Sequence, residues 1–216
     1  AETSIWIMDG TQYVRGQSIL AIPGWTVTHV ADFDGDGNDD LLWRNAGTAE
    51  VAEWLMNGPA YVRGSIVLAE PLWSVSHVGD FNGDGKSDLV WRNATTGQVA
   101  LWLMDGTAAI AGRIVLALPQ WQVTGVGDFD GDGKSDLAWR NATTGETALW
   151  LMNGVSYASG TIVTVSLPWA VTHVADLDGD GRSDLVWSNG TTGATVVWLM
   201  HGLSRGNAAV FADAPD

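Results

Sequence analysis

The sequence predicts an all-β fold, a β-propeller of 48-residue, four-stranded blades, and three observations lead there. All 13 tryptophans fall into three series spaced by 48: Trp6, Trp54, Trp102, Trp150 and Trp198; Trp25, Trp73, Trp121 and Trp169; Trp43, Trp91, Trp139 and Trp187. All five methionines follow the first series by two residues, so no insertion breaks the register. Each period holds four short runs rich in Val, Ile, Leu and Trp, split by turn segments such as NATTG and MDGT, and no stretch has a helical period.

Counting from Trp25 gives full units at 25–72, 73–120, 121–168 and 169–216, preceded by a half unit at 1–24, all in one repeat domain over 1–216. In the second unit, strand a is expected over Trp73–Phe81, strand b over Ser87–Asn93, strand c over Gln98–Met104 and strand d around Ile110–Leu118. Strand c is apolar on both faces, with Val99, Leu101 and Leu103 on one and Ala100, Trp102 and Met104 on the other. A strand of that kind lies between two packed sheets, as propeller blades provide. A β-sandwich ranks second because it leaves one face of each sheet wet.

Strands c and d occur five times and strands a and b four times, so the half unit has no unused a–b pair in its own chain. It either closes a small ring of about five sheets or pairs across chains, as a homo-oligomer through the N-terminal half repeat. The last strand d (206–212) has little Ile-Val-Leu character, so residues 1–24 are expected to pack against the fourth unit, as a clasp within one chain or between two. Closure matters because open sheet edges invite pairing with other chains.

The formal charge is −15, yet 16 of the 25 acidic residues sit in four short segments. These read Asp32-Phe-Asp-Gly-Asp-Gly-Asn-Asp-Asp40, Asp80-Phe-Asn-Gly-Asp-Gly-Lys-Ser-Asp88, Asp128-Phe-Asp-Gly-Asp-Gly-Lys-Ser-Asp136 and Asp176-Leu-Asp-Gly-Asp-Gly-Arg-Ser-Asp184. Oxygen donors recur at loop positions 1, 3, 5 and 9, with glycines at 4 and 6. Calcium takes roughly six to eight oxygens. The expected side-chain ligands are Asp32, Asp34, Asp36 and Asp40; Asp80, Asn82, Asp84 and Asp88; Asp128, Asp130, Asp132 and Asp136; Asp176, Asp178, Asp180 and Asp184. The position-7 carbonyls of Asn38, Lys86, Lys134 and Arg182 would add one each, and up to four Ca²⁺ ions would bind. Magnesium resists dehydration and rarely accepts an all-protein cage. The loop shares its first half with an EF-hand but lacks the position-12 Glu and the flanking helices, and it bridges strands a and b instead.

The pattern D-F-D/N-G-D-G-x-S-D-L between two apolar strands resembles the FG-GAP/VCBS repeat family of calcium-binding propeller blades. Such blades are known from integrin α-subunits, fungal propeller lectins and secreted bacterial proteins. The adjoining W-R-N-A-T-T-G-x-x-x-x-W-L-M-x-G resembles the bacterial branch, and the likeness covers 25–216 with 1–24 as a half blade. It implies the propeller fold, a metal at the loop residues and a secreted or cell-surface location. Complete family propellers often have more blades, so the ring's size stays open.

Hydrophobic residues at 46% support a buried core, and charged residues at only 16% argue against disorder. No apolar run is long enough to span a membrane. The strong negative charge disfavours nucleic acid as a partner. The opening AETSIW has neither the basic nor the apolar region of a signal peptide. The absence of cysteine fits a secreted protein stiffened by calcium and equally a cytosolic one.

Ser, His and Asp recur with the repeat and do not converge on one place, so no enzyme activity is expected. His29, His77 and His173 recur on strand a, with Gly125 breaking the series, and read as ordinary strand residues. Trp43, Trp91, Trp139 and Trp187 end strand b beside a polar turn, with Arg44, Arg92 and Arg140 next to three of them. Exposed tryptophan beside arginine supplies a flat apolar face and hydrogen-bond donors, the chemistry of a sugar site. Trp54, Trp102 and Trp150 read as packing residues. A lectin-like module with a glycan ligand is the first expectation. A protein adhesion scaffold and a non-catalytic accessory domain of a larger secreted enzyme are the alternatives.

Overall fold

The computed structural model describes residues 2–20, 22–164 and 167–211. Its 18 strands begin with a hairpin of β1 (Thr3–Asp9) and β2 (Gln12–Leu20). Four antiparallel meanders follow. The first holds β3 (Trp25–Ala31), β4 (Asp40–Asn45), β5 (Glu50–Asn57) and β6 (Ala60–Ala69). The second holds β7 (Trp73–Gly79), β8 (Asp88–Asn93), β9 (Val99–Asp105) and β10 (Ala108–Leu116). The third holds β11 (Trp121–Gly127), β12 (Asp136–Asn141), β13 (Thr147–Asn153) and β14 (Ser156–Thr164). The fourth holds β15 (Trp169–Ala175), β16 (Asp184–Asn189), β17 (Thr195–His201) and β18 (Ser204–Phe211).

Each expected strand forms, with shifted ends. Strand a stops two residues early in the second unit because the Phe81 N–H turns to the Asp88 carboxylate instead of a neighbouring strand. Strand d starts at Ala108, directly after the tight turn at Gly106. In the fourth unit, β18 pairs along β17 despite its poor side chains, because ladder hydrogen bonds are made by the backbone.

The sheets stack face to face, and the core lies between them. Between the first and second sheets, Phe33, Leu42, Val51 and Leu55 meet Leu89, Trp91, Ala100 and Met104. The same pattern recurs between the second and third sheets (Phe81, Val90, Val99 and Leu101 with Leu137, Trp139, Ala148 and Met152) and between the third and fourth. Strand β9 is therefore apolar on both faces because each face meets a different sheet, which excludes the sandwich. Burying each large side chain contributes about 1.5–3 kcal/mol. The first strands β3, β7, β11 and β15 run side by side along one edge of the stack, giving a propeller-like arrangement of four sheets and a half sheet.

The N-terminal hairpin corrects one expectation. Within its own chain it packs on the first sheet, not the fourth: Ile5, Ile19 and Leu20 cover Leu41, Trp43, Ala52 and Met56. The hairpin carries the c–d pattern, and a short link (21–24) joins it to β3. It covers the first sheet as the outer strands of each sheet cover the next.

Candidate metal centres and inter-sheet clefts

The four acidic loops are built alike. The position-1 aspartate accepts the N–H groups of both glycines: Gly35 and Gly37 on Asp32 at 2.7 and 2.8 Å, Gly83 and Gly85 on Asp80 at the same distances. Asp128 and Asp176 repeat this on Gly131 and Gly133, and on Gly179 and Gly181. These glycines have φ between 76° and 85°, a region where a Cβ is strained, so the coil around position 1 requires them. The position-5 carboxylate caps the position-7 N–H, as in Lys86 to Asp84 at 3.0 Å and Arg182 to Asp180 at 2.9 Å.

The position-9 aspartates are buried and tie each loop to its own sheet. Asp88 accepts the N–H of Phe81 on one oxygen and of Met104 on the other, both at 2.8 Å. Asp40, Asp136 and Asp184 do the same with Phe33 and Met56, Phe129 and Met152, and Leu177 and Met200. Burial, with a smaller push from neighbouring loop carboxylates, raises Asp88 to about 6 and Asp136 to about 7 and raises Asp40, while those N–H groups oppose the shift. A cation among the carboxylates would reverse the repulsive part of that shift. Carboxylate oxygens lie within 4.8 Å of one another in Asp32, Asp34 and Asp36, in Asp128, Asp130 and Asp136, and in Asp176, Asp178 and Asp184, so these three loops could hold a metal ion. In the second loop Asn82 replaces an acid and turns its amide toward Asp84 at 3.0 Å.

Sequence reasoning missed a connection between loops. The position-8 N–H of each loop donates to the position-1 carbonyl of the loop before it: Ser87 to Asp32 at 2.7 Å, Ser135 to Asp80 at 2.6 Å and Ser183 to Asp128. The position-7 side chains Lys86, Lys134 and Arg182 lie over Gly35, Gly83 and Gly131 of the preceding loop, and Arg182 Nε donates to the Asp130 carbonyl at 3.2 Å. Position 7 thus lays a side-chain stem over the previous loop, while the charged ends of Lys134 and Arg182 pair with Asp132 and Asp180 of their own loops at 3.2 Å and that of Lys86 pairs with Asp105. The first loop, which has no loop before it, carries the neutral Asn38. That one difference was the available signal.

The tryptophans exchange the parts expected of them. Trp43, Trp91, Trp139 and Trp187 are buried, not exposed, because sheets pack on both sides of strand b. Among the described residues their indole Nε1 atoms have no acceptor. Two of their arginine neighbours are clamps between consecutive units: Arg44 Nη1 donates to the Trp73 carbonyl at 2.9 Å, and Arg92 donates to the carbonyls of Trp121 and Pro119. Arg140 donates to Thr147 at 3.2 Å. Asn45, Asn93, Asn141 and Asn189 cap the following turns through their Oδ1 atoms.

Trp54, Trp102 and Trp150, expected to be core, are half-buried and tilt against the strand-b tryptophans at 5.0–5.1 Å between ring centroids. Gly64, Gly112 and Gly160 leave room for these indoles, since a Cβ on Gly112 would come within 2.7 Å of Trp102. Among the described residues three equivalent clefts result, each walled by one tryptophan from every series. Leu20, Trp25, Trp43, Ala52, Trp54 and Ile66 line the first, of about 330 Å³. Leu68, Trp73, Trp91, Ala100, Trp102 and Ile114 line the second, also about 330 Å³, with Glu70 and Arg113 at its border. Leu116, Trp121, Trp139, Ala148, Trp150 and Ile162 line the third, of about 160 Å³.

His29 and His77 lie on neighbouring inner strands, while Gly125 leaves its place to Val174 and His173 is exposed, so no ring of histidines forms. Burial, and then His29, lowers His77 to about 4.

The comparisons agree with this geometry. A protein of unknown function from Bacteroides caccae has a similar fold at a TM-score of 0.50 and 13% identity, over 93% of this chain and 65% of that one. BBS1N, solved in complex with ARL6DN, is similar at a TM-score of 0.53 and 11% identity, over 97% of this chain and 62% of that one. This chain therefore spans somewhat less than two thirds of the length of either structure. No curated protein matches it in sequence. The FG-GAP-like repeat matches three times, at residues 32–91, 80–139 and 128–187, each match running from position 1 of one acidic loop to the strand-b tryptophan of the next unit. The chain belongs to the FG-GAP-like repeat family.

Proposed function

We propose that this chain is a secreted, calcium-stabilised binding module that recognises carbohydrate through its repeated inter-sheet clefts. The single observation carrying this reading is the triplicate cleft with three tryptophans in its wall. Indole faces match the C–H faces of a pyranose, and a concave, mostly apolar site with few polar groups suits one sugar unit. The orphan indole N–H groups of the strand-b tryptophans favour a ligand oxygen that the protein does not itself supply. Trp43, Trp91 and Trp139 keep a part in this proposal as the inner wall. Arg44 and Arg92 serve by holding adjacent units together, Arg140 braces two strands of its own sheet, and the half-buried Trp54, Trp102 and Trp150 replace them as the contact residues.

Equivalent weak sites gain avidity on a multivalent glycan. The repetition also favours this reading over a protein scaffold, whose partner would need a broad, non-repeating patch. The test is a glycan array run with calcium and again with EDTA, followed by calorimetry on a hit. Trp54→Ala, Trp102→Ala and Trp150→Ala should each remove about one site, weakening that site at least roughly tenfold, about 1.4 kcal/mol. An array without hits, or three variants that titrate like the parent, would reject carbohydrate as the ligand.

Calcium enters the same proposal through the loops. All donors are oxygen, and a carboxylate-rich coil of this kind suits a hard cation of calcium's size. The loop at 80–88 should fill last, because Asn82 leaves it three carboxylates where the others have four or more. Calcium titration followed at the Gly37, Gly85, Gly133 and Gly181 amides would order the sites. Early saturation at Gly85 would contradict the ligand-charge argument.

A further inference from the structure

The repeated interface between sheets leaves one unmatched half at each end of the stack, and the two halves complement each other. Toward its successor, each inner sheet presents a fully buried phenylalanine, namely Phe33, Phe81 or Phe129. In the fourth sheet that position is Leu177, 48% exposed, flanked by half-buried Val186, Val197 and Leu199. Toward its predecessor, each sheet presents a tryptophan and a buried methionine, such as Trp102 and Met104. In the N-terminal hairpin those residues are Trp6, 67% exposed, and Met8, 47% exposed, whereas Met56, Met104, Met152 and Met200 are at most 2% exposed.

The backbone repeats this pattern. The turn glycines Gly106, Gly154 and Gly202 donate to the carbonyls of Phe33, Phe81 and Phe129 at 2.8–3.0 Å. The glycine series also holds Gly10 and Gly58, beside both of which the structure is open, and the fourth member of the phenylalanine series is Leu177. The exposure of Trp6 and Leu177 also means that the two ends do not cover each other within one chain.

We propose that this chain associates head to tail with a second copy, the hairpin of one molecule docking on the fourth sheet of the other. Trp6 and Met8 cover Leu177, Val186, Val197 and Leu199, and the Gly10 N–H donates to the Leu177 carbonyl. The junction continues the internal interface, using the c–d half of it. It is heterologous, so it closes into a ring or extends according to the rotation at each junction.

The test is sedimentation equilibrium of the full chain in calcium, from about 1 μM to about 1 mM, where weak to moderate association is visible. The expected result is a mass that rises with concentration. Trp6→Glu and Leu177→Asp each weaken association at least about 100-fold, as loss of a central contact does. Both side chains are exposed, so thermal melts of the dilute variants should match the parent. The mixture of the two variants is decisive, because each retains the end the other lacks, so it forms dimers that grow no further. A single-chain mass at every concentration would overturn the proposal. So would assembly abolished by Trp6→Glu and untouched by Leu177→Asp, which would mean hairpin-to-hairpin pairing.

Discussion

Removing calcium should lower the melting temperature by tens of degrees, and restoring calcium but not magnesium should recover it. Binding to the folded state alone stabilises by about 2.7 kcal/mol per site when the free ion is ~100-fold above Kd. Up to four sites then supply on the order of 10 kcal/mol, comparable to the ~5–15 kcal/mol that holds a whole domain together. The loops are positioned to transmit that loss. Each is anchored to its sheet by a buried aspartate that spans two backbone N–H groups, as Asp136 does for Phe129 and Met152. Each is also tied to its predecessor through Ser87, Ser135 or Ser183. Without a cation, the crowded carboxylates push against these anchors, so release at one loop loosens the next sheet contact. The transition in EDTA should therefore stay steep rather than break into four steps. A melt insensitive to EDTA would remove calcium from the account of this fold.

The repeat made most of the architecture legible. Three tryptophan series placed every strand to within about two residues, ordinary boundary scatter, and the two apolar faces of strand c foretold a stack instead of a sandwich. What the sequence hid was direction. Trp91 stands beside Arg92 and Asn93, and that polar company suggested exposure, yet alternation turns the arginine to the next unit's backbone and leaves the indole between sheets. Trp102 sits in an apolar run and suggested burial, but Gly112 opposite it opens one side of the indole to a cleft. Lys86 was legible as a loop residue and not as a side chain laid over Gly35 of the preceding loop, because that contact joins residues one repeat apart. The hairpin's seat on the first sheet was missed for a related reason. The repeat gives it the same two faces as every c–d pair, and the short tether at 21–24 selects the nearer sheet.

Glu53→Leu should stabilise the protein by about 3 kcal/mol at neutral pH. Position 53 belongs to the face of β5 that packs on the second sheet, where its counterparts are the fully buried Leu101 and Leu149, and Val197 in the fourth unit. Glu53 is itself fully buried, and neither carboxylate oxygen has a hydrogen-bond partner among the described residues. Burial, assisted by the charges of Asp40 and Asp34 and opposed by Arg63, pushes its carboxyl up to about 8. Below the ordinary glutamate value both folded and unfolded chains hold the proton, and no penalty arises. As pH rises from about 4.5 to about 8, the unfolded chain ionises while the folded one resists, and each unit of that gap costs about 1.4 kcal/mol. At pH 7 the gap spans about 2.5 units, giving about 3 kcal/mol. A cation held by Asp34 and its neighbours would remove their share and leave burial as the cause. The leucine variant escapes the whole penalty and continues the packing of Leu101 and Leu149. Denaturant unfolding of parent and variant in calcium should show the difference growing from about pH 4.5 to about pH 8, and for a chain of this size 3 kcal/mol amounts to roughly 6–12 °C in melting temperature. A variant no more stable than the parent, or one that binds calcium less tightly at the first loop, would mean that Glu53 has a partner in the loaded protein.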